Sequence, residues 1–125
     1  MPDLNQSIFS KIGGIDALHD VVDTFYDRVL ADPDVNEFFI GTNMDVQRGK
    51  MKAFLMMALG GPVQFTGKEI RHAHTHLVDN GLTDHHFDVV GKHLLATLEH
   101  FNVETAIREE IKVVLESVRS AVLNK

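Results

Sequence analysis

Three side chains in this sequence of 125 residues join polar chemistry to an apolar setting: His74, Tyr26 and Gln47. His74 lies in the run Thr66-Gly67-Lys68-Glu69-Ile70-Arg71-His72-Ala73-His74-Thr75-His76-Leu77-Val78-Asp79-Asn80-Gly81. There Ile70, Ala73, His74, Leu77 and Val78 follow the i, i+3, i+4, i+7, i+8 spacing of a helix stripe turned to a core, while His72 and His76 point elsewhere. A buried imidazole needs a partner. It can hydrogen-bond inside the core, or one ring nitrogen can bind a metal while an acceptor holds the other, and the spacing admits both. Tyr26, the only tyrosine, falls inside the stripe Ile15, Leu18, Val22, Phe25, Tyr26, Val29, Leu30. Gln47 is the one polar member of the inner set Met44, Gln47, Met51, Phe54, Leu55, Ala58. The plain alternatives are a tyrosine hydroxyl sent to the surface and phenylalanines that only fill a core.

The elements that position these residues announce their own ends. Ser7 to Ile12 reads as a short helix stopped by Gly13-Gly14, and a periodic helix follows over 15–31. Asp32-Pro33 predicts an N-cap and first helical position for one further turn, closed by Phe38-Phe39-Ile40 before Gly41. Thr42-Asn43 caps a helix over 43–59 that ends at Gly60-Gly61-Pro62. The helix bearing His74 spans 67–79, opened by a Thr66/Glu69 capping box and closed by a left-handed Asn80-Gly81 exit. Thr83 caps a helix over 84–101 with Phe87, Val90, Leu94, Leu98 and Phe101 on its stripe. Asn102 caps the last, to about 122, with Ala106, Ile107, Ile111, Val114, Leu115, Val118 and Val122 inside. No stretch alternates with period two, so the fold class is all-α, six or seven helices in one domain over residues 1–125. Five histidines between 72 and 86 suggest that this region packs against something the chain does not supply.

Composition narrows the partners. A net charge of −6 speaks against nucleic acid or an anionic membrane as the main partner, since either asks for a basic face. No cysteine means no disulfide, thiolate metal site or cysteine nucleophile, and no segment reaches the ~18 apolar residues of a membrane span. The start of the chain lacks a basic-then-apolar leader pattern, and the expectation is a cytoplasmic protein. No glycine-rich phosphate loop follows a strand, and no serine motif suggests a hydrolase.

A haem pocket meets what these residues require: a wide apolar slot, one neutral imidazole for the iron, and a few polar groups on the far face. Gln47, Met51 and Leu55 recur every fourth residue and cover ~12 Å of one helix side at 1.5 Å per residue, about the width of a porphyrin. Phe38, Phe39, Phe54 and Phe87 offer aromatic walls. The competing reading is a haem-free helical module or a divalent-metal binder using His72 and His76 or His85-His86, pairs that lack the further ligands of a structural zinc site.

Phe9-Ser10-Lys11-Ile12-Gly13-Gly14, then Phe25-Tyr26-x-Arg28-Val29-Leu30-Ala31-Asp32, Phe38-Phe39, Ala58-Leu59-Gly60-Gly61-Pro62, Thr66-Gly67, Ala73-His74 and His86-Phe87 together resemble a truncated haemoglobin of group I. The likeness runs from Ile8 to about Leu98 with order and spacing kept. It implies a two-over-two helical sandwich around haem b (iron protoporphyrin IX). It further implies that His74 is the proximal iron ligand, Phe39 packs on the ring, and Tyr26 hydrogen-bonds bound ligand. Gln47 falls at a distal polar position, and Lys50 where relatives place a residue that reaches a propionate or the iron itself as a sixth ligand. Met51, Phe54, Leu55, Ile70, Arg71 and Phe87 complete the cofactor-binding set. Met51 stands where many members have a glutamine, and no histidine follows position 100, so a covalent haem link through a late histidine is not expected. The implied ligands are O2, NO and CO. The implied activities are O2 binding or sensing, NO dioxygenation with an unidentified reductase, or redox and peroxidase-like chemistry.

Overall fold

The computed structural model describes residues 8–60, 67–79 and 81–125, without the side chains of Ala58, Lys68 and His76. It contains α1 (Ile8–Lys11), α2 (Gly14–Leu30), a 3-10 turn (Asn36–Phe39), α3 (Met44–Ala58), α4 (Gly67–Asp79), α5 (Asp84–His100) and α6 (Thr105–Leu123), with no strand among the described residues. The helices pack as two pairs, α2 with α3 and α5 with α6, crossed through α2 on α5, while α4 lies against α6. This is the two-over-two arrangement expected from the sequence.

The periodic stripes form the core: Leu18, Val21, Val22, Phe25 and Val29 of α2 meet Leu55 and Leu59, Leu94 and Leu98, and Ile111. Gly13 joins α1 to α2 at φ +112, and a Cβ there would come within 2.9 Å of the Ala17 Cβ, so the corner requires glycine. Asn43 opens α3 as expected, its Oδ1 accepting from the Asp45 and Val46 N–H groups at 3.1 and 3.2 Å. Thr83 opens α5 by a different device: its N–H donates to His86 Nδ1 at 3.0 Å, an imidazole acting where a glutamate usually sits.

Several expectations shift. Asp32 does accept the Asp34 N–H at 3.0 Å, but helical structure begins only at Asn36, whose side-chain amide donates to the Leu30 carbonyl. Asn102 does not start α6. It sits at φ +61 and ends α5, with Val103 N–H donating to Leu98 O at 3.0 Å, and Glu104 precedes α6 instead. Ile15 in the first turn of α2, and Ala73 and Ala106, are exposed rather than inside, among the residues the structure describes. Gly81 at φ +100 closes α4, with Leu82 N–H bonded to Leu77 O. Thr66 of the expected capping box, Asn80 and the Gly61-Pro62 break lie outside the described residues. Among the described residues no helix is long and apolar enough to cross a membrane.

Candidate functional site

Tyr26 faces the interior. It is 2% exposed, edge-on to Phe25 (4.9 Å between centroids) and to Phe39 (5.7 Å), so one turn of α2 and the 3-10 turn grip the phenol from two sides. Its hydroxyl accepts from Gln47 Nε2 at 2.9 Å, which joins α2 to α3 and brings both sequence-flagged polar groups to one spot. With its oxygen lone pair occupied, the tyrosine proton remains available to donate elsewhere. Burial pushes the phenol pKa up, partly offset by the Gln47 bond and the nearby Arg48 charge, so the group keeps its proton across the ordinary pH range. Arg48 lies 3.5 Å from Asp23 and adds a second tie between α3 and α2. Met51 and Phe39 pack partly buried against the core that contains Leu55, and Phe54 is likewise half-buried on α3. Lys50 projects from the exposed side.

On α4, Ile70 is buried and His74 half-buried. His74 Nδ1 lies 2.8 Å from the Ile70 carbonyl oxygen. A carbonyl can only accept, so Nδ1 carries a proton, and in the neutral ring the Nε2 lone pair is then the one able to bind a metal. That donor set fits a haem iron: a neutral imidazole, oriented from behind by a backbone acceptor. The surrounding elements fit as well, since α3 packs chiefly on α2 and α4 on α6, and among the described residues no substantial packing joins α3 to α4.

Other flagged residues have different neighbours. Phe87 lies beneath the Arg119 guanidinium, 4.5 Å from its ring centroid, so one face of the ring is turned to α6. Arg71 Nη1 donates to the Lys125 main-chain oxygen at 3.1 Å. Two more of the five histidines have partners within the chain, since His85 lies 3.3 Å from an Asp34 carboxylate oxygen and His86 caps α5; His93, outside that run, bonds Asp32 at 2.7 Å. Among the described residues no three histidines and carboxylates converge as a metal cluster, and the His72/His76 pair depends on a side chain outside the described residues.

A family model described as bacterial-like globin matches residues 7–124. Group 1 truncated hemoglobin LI410 of Chlamydomonas moewusii is 45% identical over 118 residues, covering 94% of this chain and 68% of that protein. The group 1 truncated hemoglobin GlbN of Synechocystis is 41% identical over 109 residues, covering 86% and 88%. The 2/2 hemoglobin of Synechococcus, solved in the cyanomet state with covalently attached heme, superposes with a TM-score of 0.90 at 40% identity over 96% of this chain and 100% of that one. The Fe(III) truncated hemoglobin of Tetrahymena pyriformis does so at 0.86 and 39%, with the same coverage. The chain belongs to the bacterial-like globin family and, within it, to the group 1 truncated haemoglobins. Haem is its cofactor, and it binds diatomic gases such as O2.

Proposed function

We propose that this protein is an NO-detoxifying haemoglobin in which His74 would hold the haem iron and Tyr26 and Gln47 would serve the bound gas. The observation that carries this reading is the 2.9 Å Gln47-to-Tyr26 bond in an otherwise apolar wall, which leaves a protonated phenol free to donate to a ligand. When bound, ferrous haem supplies an open coordination position for O2 and the single electron that turns NO and O2 into nitrate (NO + O2 + e− → NO3−), an electron that an external reductase returns.

The chain's own residues do the rest. Tyr26 donates toward charge that develops on the ligand, and Gln47 fixes the direction of that donor. Phe39, Met51, Phe54, Leu55 and Ile70 exclude water from the slot, and Phe87 closes it beside the imidazole. Met51, apolar where a second amide is common, leaves the hydrogen bonding to Tyr26 and Gln47. Lys50, on the exposed side of α3, extends its ammonium along the rim to a propionate, whereas Arg71 Nη1 donates to the Lys125 main-chain oxygen. CO competes with O2 and NO at the same position. Residues 1–125 act as one domain, and the cysteine-free, acidic composition suits work in the cytoplasm.

The test mixes the oxygenated ferrous protein with stoichiometric NO and measures nitrate. The expected result is one nitrate per haem, and nitrate no higher than in a protein-free control overturns the proposal. Spectra of the ferric, ferrous and ferrous-CO forms test the pocket. His74→Ala must release the haem or move its bands, whereas unmoved bands and equally tight haem put the ligand elsewhere.

A further inference from the structure

The helix that carries His74 is held from outside by the last two residues of the chain. Thr75 and Arg71 lie one turn apart on α4, on the face next to His74 and Ile70. The Thr75 hydroxyl lies 3.0 Å from both the Arg71 carbonyl and Asn124 Oδ1, so its proton bridges the two. Asn124 Nδ2 donates to the same Arg71 carbonyl at 3.0 Å, and Arg71 Nη1 donates to the Lys125 main-chain oxygen at 3.1 Å. Asn124 can do this because it ends α6 in the left-handed conformation, φ 58 and ψ 41, which turns its side chain back across α4.

Ile70 and Arg71 present consecutive carbonyls. The first orients the imidazole of residue 74, and the second is gripped by the amide of residue 124. We infer that Asn124, with Thr75, is a positioning residue for the proximal imidazole: it fixes the rotation of α4 about its own axis and so the direction in which Nε2 points. Among the described residues α4 packs chiefly on α6, the helix whose end carries Asn124. The inference rests on His74 being the iron ligand.

The test uses the haem-loaded protein. Asn124→Gly keeps the left-handed chain end while deleting the clasp, and Thr75→Val deletes the hydroxyl at nearly constant shape. Arg108→Ala is the control, since it breaks contacts to Glu99, Val103 and Thr105 at the far end of α6. The readouts are the iron–histidine stretching band of the ferrous protein by resonance Raman and the rate of haem transfer to a scavenging apoglobin. Asn124→Gly and Thr75→Val are expected to shift or broaden that band and to speed haem loss roughly fivefold, the factor that corresponds to about one net hydrogen bond. Arg108→Ala should leave the band in place. A band unmoved in both clasp variants, or moved equally by Arg108→Ala, overturns the inference. His74→Gly keeps the two failures apart: if it retains haem with unchanged bands, the ligand assignment falls and the inference falls with it.

Discussion

The bond between Tyr26 and Gln47 admits a quantitative test by double-mutant cycle. Tyr26→Phe keeps the ring on Phe25 and Phe39 and removes only the hydroxyl, so the stability lost is one hydrogen bond, about 1 kcal/mol, plus the exposure of a half-buried Gln47 amide. Gln47→Leu leaves the hydroxyl of a side chain that is 2% exposed without its partner, a loss of about 1–3 kcal/mol. In the double variant neither orphan remains, so its loss should fall short of the sum of the singles by about 1 kcal/mol. Urea unfolding of the haem-loaded proteins measures this coupling. The same variants separate in ligand kinetics. A phenol donating to partial charge on bound O2 is worth about 1.5–3 kcal/mol, so Tyr26→Phe should raise the O2 dissociation rate roughly 10- to 150-fold, while Gln47→Leu, which only steers the phenol, changes it by a few-fold. Additive stability losses, or a larger kinetic effect from Gln47→Leu than from Tyr26→Phe, refute the reasoning.

Gly13→Ala should destabilise the protein by about 1–3 kcal/mol in denaturant melts, because φ +112 is strained for any side chain and the new methyl meets the Ala17 Cβ. Asp84 is held below the usual carboxylate range by Lys125 and then Arg119. A carboxyl depressed in the folded state stabilises above its unfolded pKa and loses that effect as pH falls through the folded value. Asp84→Asn should therefore be less stable than the parent above about pH 4, with the gap closing below it, as acid melts followed by circular dichroism would show. Lys50→Ala should leave the ferric and ferrous bands in place and modestly speed haem loss. Loss of low-spin bands in that variant would instead mark the lysine as a sixth ligand.

The parts of this structure legible in the sequence are those written locally. Asn43 and the stripe around Tyr26 needed only spacing and a cap, and the buried phenol and the α3 amide fell where periodicity put them. Asn102 misled because a left-handed residue between two helices serves either the end of one or the start of the next, and the hydrogen bond from Val103 back to Leu98 decides for the first. Ala73 and Ile15 obey the helical period yet are exposed, and periodicity alone does not say how far along a stripe its cover extends. The His86 cap departs from the usual glutamate. Thr75 and Asn124 meet across 49 positions, and nothing in either residue's neighbours marks them as a pair. The run of histidines signalled a cofactor region for a reason only partly right, since three of them find partners within the chain.

The contact between His74 and the Ile70 carbonyl has a consequence for assembly. A ring already held against its own helix before any pigment arrives does not swing freely, so loading immobilises little at this residue that was not fixed beforehand. Capture of haem by the newly folded polypeptide should then cost little side-chain entropy at the residue that finally holds it.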